Sequence, residues 1–107
     1  MHSLLLGSPI DLETLKRELP SDFSVQDTKQ KYYEFDDTGF SLFFLVVGWI
    51  ASIPASVLAN AIYDAIKKGS SKTPKRISIN KIMIDFERGK IKKYIEEHID
   101  CGEDRHE

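Results

Sequence analysis

Cysteine is almost missing: Cys101 is the only one in 107 residues, so no intramolecular disulfide can form and a reducing, cytoplasmic setting is expected. Histidine is scarce as well. His2, His98 and His106 lie at the extremities, where a base is hard to hold rigid against a nucleophile, so no Ser/His/Asp or Cys/His arrangement can be assembled convincingly. The chain has no P-loop, no dinucleotide-binding glycine fingerprint, no internal repeat and no low-complexity stretch. Residues 1–9 carry no Lys or Arg ahead of their short apolar run, so a secretory signal is not expected. These absences argue against a disulfide scaffold and against an enzyme; no cofactor and no resident metal are expected.

What is present is ordinary globular material. Hydrophobic residues make up 41% and charged residues 30%, which excludes wholesale disorder. A chain of this length buries about two-thirds of its unfolded surface around one core. A single α+β domain over residues 1–100 is expected, followed by a polar tail at 101–107.

The net charge of −2 conceals three blocks. Residues 1–66 carry four basic and nine acidic side chains, residues 67–93 carry ten basic and two acidic, and residues 94–107 carry one basic and six acidic. Such blocks can steer a charged partner or face one another within the fold. Lys67, Lys68, Lys72, Lys75, Arg76, Arg88, Lys90 and Lys93 are the candidate anion- or partner-binding residues. Nucleic acid is the less favoured partner, because the chain as a whole is acidic.

Periodicity gives the element order. Residues 3–6 suit a short buried strand. Ser8-Pro9-Ile10-Asp11 reads as a helix start, with the Ser8 hydroxyl as cap, Pro9 in the first helical position and Asp11 at the positive end of the dipole. Leu12, Leu15 and Leu19 follow at helical spacing, and Pro20 ends the segment. Residues 23–35 are extended in character, Asp36-Asp37-Thr38-Gly39 is a turn signal, and 40–47 is a continuous apolar run suited to a central strand. Trp49, Phe43 and Phe44 are expected in the core.

Beyond Gly48 the period becomes helical. Val57, Leu58, Ala61, Ile62, Ala65 and Ile66 fall on one face and Ser56, Asn60, Asp64 and Lys67 on the other. Residues 68–74 form a Gly/Ser/Pro linker. Ile77 and Ile79 share one parity while Ile82, Ile84 and Phe86 share the other, so a two-residue turn at Asn80-Lys81 is required to bring them to one face, pairing Ile79 with Ile82 and Ile77 with Ile84. Ile91, Tyr94, Ile95 and Ile99 mark a closing amphipathic helix. The order is β-α-β-β-α-β with an extra C-terminal strand and helix. A two-layer sandwich with the ferredoxin-like arrangement is its first candidate topology. Helices on one face alone leave the other face of the sheet partly apolar, and self-association through that face is expected.

Three further patterns point to chemistry. Residues 38–63 hold no formal charge and are long enough to span a bilayer, with acidic groups before and lysines after. Gly48, Pro54 and the Ser56–Asn60–Asp64 stripe favour a strand followed by a surface helix instead. Asp37-Thr38-Gly39 spells the aspartic-protease triplet, but Phe40 follows where a small residue belongs, and a hairpin turn explains the triplet fully. His98, Cys101 and His106, near Asp100 and Glu103, could supply metal ligands, yet most of them fall in the polar tail. Around the last helix, Arg88, Lys90, Lys92 and Lys93 crowd the N-terminus and Glu96, Glu97 and Asp100 the C-terminus, both against the macrodipole. Lys92–Glu96 and Lys93–Glu97 are i,i+4 pairs that offset part of this, while an anion held at Gly89 and the helix N-terminus is the alternative.

One resemblance covers half the chain. The small-residue helix from Ala51-Ser52-Ile53-Pro54-Ala55 to Ile66-Lys67-Lys68, then Ile77-Ser78-Ile79-Asn80-Lys81-Ile82 and the closing amphipathic helix, resembles the effector-associated accessory components of bacterial conflict systems. The resemblance, over residues 51–100, implies a non-catalytic adaptor or regulator that works by protein contacts, and it assigns no site residue. A protein-binding or regulatory module is therefore the leading expectation. A membrane-inserted protein using 40–63 and an anion- or nucleic-acid-binding module using 67–93 are the alternatives.

Overall fold

A computed structural model of the chain describes residues 2–28, 42–50 and 52–99. In order, the elements are β1 (His2–Ser8), α1 (Leu12–Glu18), β2 (Phe23–Asp27), β3 (Phe43–Trp49), α2 (Ala55–Gly69), β4 (Arg76–Ile79), β5 (Ile82–Asp85) and α3 (Arg88–His98). Among the described residues, five strands form one antiparallel sheet in the order β2-β3-β1-β4-β5. The fold is α+β, as its alternating sequence pattern requires.

Strand alternation decides which face the helices cover. Leu4 lies opposite Val47, Leu6 opposite Leu45 and Ile79, Val25 opposite Val47, and Ile77 opposite Ile84. These side chains share one face, and all join Leu15, Leu58, Ile62, Ile66, Ile91 and Ile95 of the helices in a single buried cluster. Two layers result. Within the helical layer α1 packs on α2 and on β2, while α3 packs on α2 and on β5, so α1 and α3 stand at opposite edges of the sheet.

The second hairpin follows its sequence signature closely. Asn80 and Lys81 both take positive φ, 52° and 70°, which is the type I′ geometry whose twist matches that of the flanking strands. Asn80 also ties the turn to the middle of the sheet. Its Oδ1 accepts the Leu5 N–H at 2.9 Å and its own N–H donates to the Leu5 carbonyl at 2.8 Å.

Several expectations shift. The first helix begins three residues later than its proline suggests. Ser8 pairs with Phe43 as the last residue of β1, and Asp11 caps α1 instead, its Oδ1 accepting the Thr14 N–H at 2.9 Å. Ser8 is fully buried, its hydroxyl 3.5 Å from the Ile10 N–H. The α2 face is rotated: Ala55, Leu58, Ala59, Ile62, Ala65 and Ile66 are buried, whereas Val57 is 47% exposed. The apolar strand runs on to Trp49, which is completely buried, as Phe44 nearly is. Phe43, at the strand's start, is exposed. The turn at 36–39 with its Asp-Thr-Gly triplet, the later part of the extended segment 23–35 and the tail 101–107 lie outside the described residues.

Within the uncharged run 38–63, residues 43–49 form β3 and residues 55–63 lie in α2. No helix among the described residues is long and apolar enough to cross a membrane.

Hydrogen bonds from Thr14, from its side chain first and its backbone second, hold the Asp11 carboxyl below the ordinary aspartate value. A lowered folded-state pKa stabilises above the unfolded value, about 3.9, and that contribution is lost as pH falls through the folded value. Asp11→Ala should therefore lower the melting midpoint near neutral pH, by roughly a few degrees for an exposed cap. The gap from the parent should narrow below about pH 4. Thermal melts at both pH values check this, and a gap that widens in acid would contradict it.

Candidate functional site

The basic block is spread over the end of α2, the connection at 70–75, β4 and α3. Lys67 and Lys68 occupy the last turn of α2, where positive charge suits the dipole, and Lys72 and Lys75 are exposed in the connection at 70–75. Arg76, opening β4, lies opposite Asp85. Arg88 donates to Asp64 at 3.0 Å and places its guanidinium 4.7 Å from the centre of the Tyr63 ring. That ring stacks on Phe86 at 4.6 Å, and the Lys67 ammonium lies 5.7 Å from its centre. Lys90 bonds Asp85 at 2.7 Å, and Lys93 is exposed on α3.

Arg88 and Lys90 are thus held by carboxylates of the same chain. The Lys90 hydrogen bond and charge lower the Asp85 carboxyl below its usual range, and Asp85 in turn raises Lys90. Both groups are well exposed, so the pair fixes the start of α3 more than it stabilises the fold. Lys92 meets Glu96 at 3.6 Å across one helical turn.

Lys72 belongs to a different place. With Pro9, Asp11, Thr14, Phe43 and Ser70 it lines an open cleft of about 350 Å³ between the start of α1 and the end of α2. The Asp11 carboxylate there is engaged in capping α1. His98 lies 3.9 Å from Glu97 with its ring tilted against Tyr94, and no cluster of three potential metal ligands occurs among the described residues.

The surface feature that periodicity did not single out is the outer edge of the sheet. Ile82 pairs with Ile79 as expected, yet Ile82 is 53% exposed and its neighbour Met83 is 40% exposed. A two-residue turn makes Ile79–Ile82 a hydrogen-bonded pair, and such pairs alternate along an antiparallel ladder. Ile77–Ile84 is then the next, and the bond from Phe86 N–H to the Lys75 carbonyl at 2.9 Å continues the alternation. By that alternation the N–H and C=O of Met83, and the N–H of Asp85, point away from β4 toward the open edge. The opposite edge strand, β2, presents Ser24, Gln26 and Asp27 as its exposed side chains.

The open face of the sheet offers less than expected. Gly7, Phe44, Gly48 and Ser78 are buried there and Leu5 and Val46 partly so. Met83 is the only exposed large apolar side chain of that face within the described strands. No family model, curated protein or solved structure matches the chain.

Proposed function

We propose that the chain is a non-catalytic protein-binding module that receives an extended segment of its partner as an added strand along β5. The observation that carries this reading is the β5 edge itself, where Ile82 and Met83 are exposed beside outward-facing backbone groups. In strand addition the main chain supplies affinity and alternate side chains supply selectivity. An edge with two large apolar side chains suits it better than the polar β2 edge, which carries the kind of residues that deter pairing. An adaptor is also what the resemblance of residues 51–100 implies. We read the strand order as ferredoxin-like with β5 appended: α1 carries the chain from β1 past β3 to β2, and α2 carries it from β3 past β1 to β4.

Met83→Pro tests the reading, because proline is tolerated on an edge strand where its missing N–H faces outward. Selection from a random peptide library should enrich extended peptides that bind the parent chain, perturb the Met83 and Asp85 amide signals, and lose at least tenfold in affinity for Met83→Pro. Enriched peptides that bind Met83→Pro equally well, or no enrichment at a concentration where the parent weighs as one chain, would sink the reading.

A further inference from the structure

We propose that the strand added at this edge is β5 of a second copy, forming a two-fold dimer in which the two sheets join. The inference rests on the strand-addition reading above and names its partner. Register is the first argument. In an antiparallel pair centred on Met83, that residue faces the partner subunit's Met83, and the two exchange N–H···O=C bonds. Ile82 then faces the partner's Ile84, so apolar meets apolar. Centring the pair on Asp85 sets like charges opposite each other. The Asp85 carbonyl is moreover already engaged by the Glu87 N–H at 2.8 Å.

The charge order of α3 is the second, independent argument. No acidic residue lies in its first turn, and no side chain caps its N-terminus. Arg88, Lys90, Lys92 and Lys93 fill its first half and Glu96 and Glu97 its second, each group opposing the helix's own dipole. α3 packs on β5 at the edge of the helical layer, and the Lys90–Asp85 bond sets its first turn beside the end of that strand. Met83 lies two residues back, roughly 7 Å along the strand. The sign of charge on α3 reverses between Lys93 and Glu96, roughly 5–9 Å along the helix from Lys90. The two-fold axis through Met83 therefore passes near the reversal. It brings a second α3 antiparallel to the first, with the basic half of each beside the acidic half of the other. An arrangement unfavourable in the isolated chain becomes complementary in the pair.

Light-scattering mass after size exclusion on the full chain tests this. The parent should weigh as two chains at low salt and dissociate as salt rises or concentration falls. Met83→Pro should weigh as one chain while keeping the emission of buried Trp49. Two helix variants complete the test: Lys92→Glu with Lys93→Glu, and Glu96→Lys with Glu97→Lys. Each should weigh as one chain alone and as two when mixed; if Met83→Pro loses the native emission, this mixture decides. A parent that weighs as one chain throughout, or helix variants that pair as well alone as mixed, would overturn the proposal. Peptide selection judges strand addition separately, since a monomer with an open β5 would still enrich binders.

Discussion

Leu6→Ala should lower the free energy of unfolding by about 3–5 kcal/mol, a fifth or more of the roughly 5–15 kcal/mol a domain of this size has to lose. Leu6 is completely buried in β1, the middle strand, with Leu45 on one side and Ile79 on the other. Removing three carbons there opens a cavity bounded by two neighbouring strands and the helical layer. Strands already held by ladder hydrogen bonds on both sides can collapse into that space only in part. Trp49, the single tryptophan and itself fully buried, reports the transition by fluorescence in a denaturant titration. Val57→Ala supplies the contrast. The helical pattern allows Val57 an inward place, but the structure leaves it half exposed, so its truncation should stay within about 0.5 kcal/mol. A Leu6→Ala cost below about 1 kcal/mol would mean that β1 is not flanked by β3 and β4 as described.

Gly7→Val should destabilise the chain, by about 1–3 kcal/mol, although local propensity argues for the opposite sign. Valine is a better strand former than glycine, and glycine in a strand interior costs roughly 0.5–1 kcal/mol through backbone entropy. The packing on the sheet's open face reverses the balance. A Cβ on Gly7 meets Phe44 Cε1 at 2.7 Å and Ser78 Cβ at 3.0 Å. Phe44 is only 8% exposed, so its ring has little room to swing aside, and Ser78 is fixed in β4. Gly7→Ala should show the same sign with a smaller loss. Denaturant midpoints for both variants check this, and a valine variant as stable as the parent would show that Phe44 can yield.

Local signals carried some of these results in full. The Asn80-Lys81 turn and the pairing of its four isoleucines were legible because strand side chains alternate with period two, so one parity change between Ile79 and Ile82 admits one register. The closing helix was legible for the same kind of reason, since Ile91, Ile95 and Ile99 repeat at helical spacing and all are buried. The candidate site was legible only in part. Charge blocks named the cations, but nothing local assigns Arg88 to Asp64 or Lys90 to Asp85, and Ile82 looked like a core residue because its parity is a core parity.

Sequence alone therefore determined the α+β class, the order of elements and the register of one hairpin, all of which follow from periodicities spanning a few residues. Tertiary structure decided what depends on residues far apart in the chain. It set β1 between β3 and β4, which made Leu6 central and left Gly7 no room for a side chain. It turned α2 so that Ala55 and Ala59 face inward rather than Val57, because the packing of α2 on the sheet and its neighbours, not the helical wheel, chooses among nearly equivalent faces. It also placed β5 at an edge. Among the described residues no strand lies beyond it, so burial ends there and residues patterned for a core stand exposed where another chain can reach them.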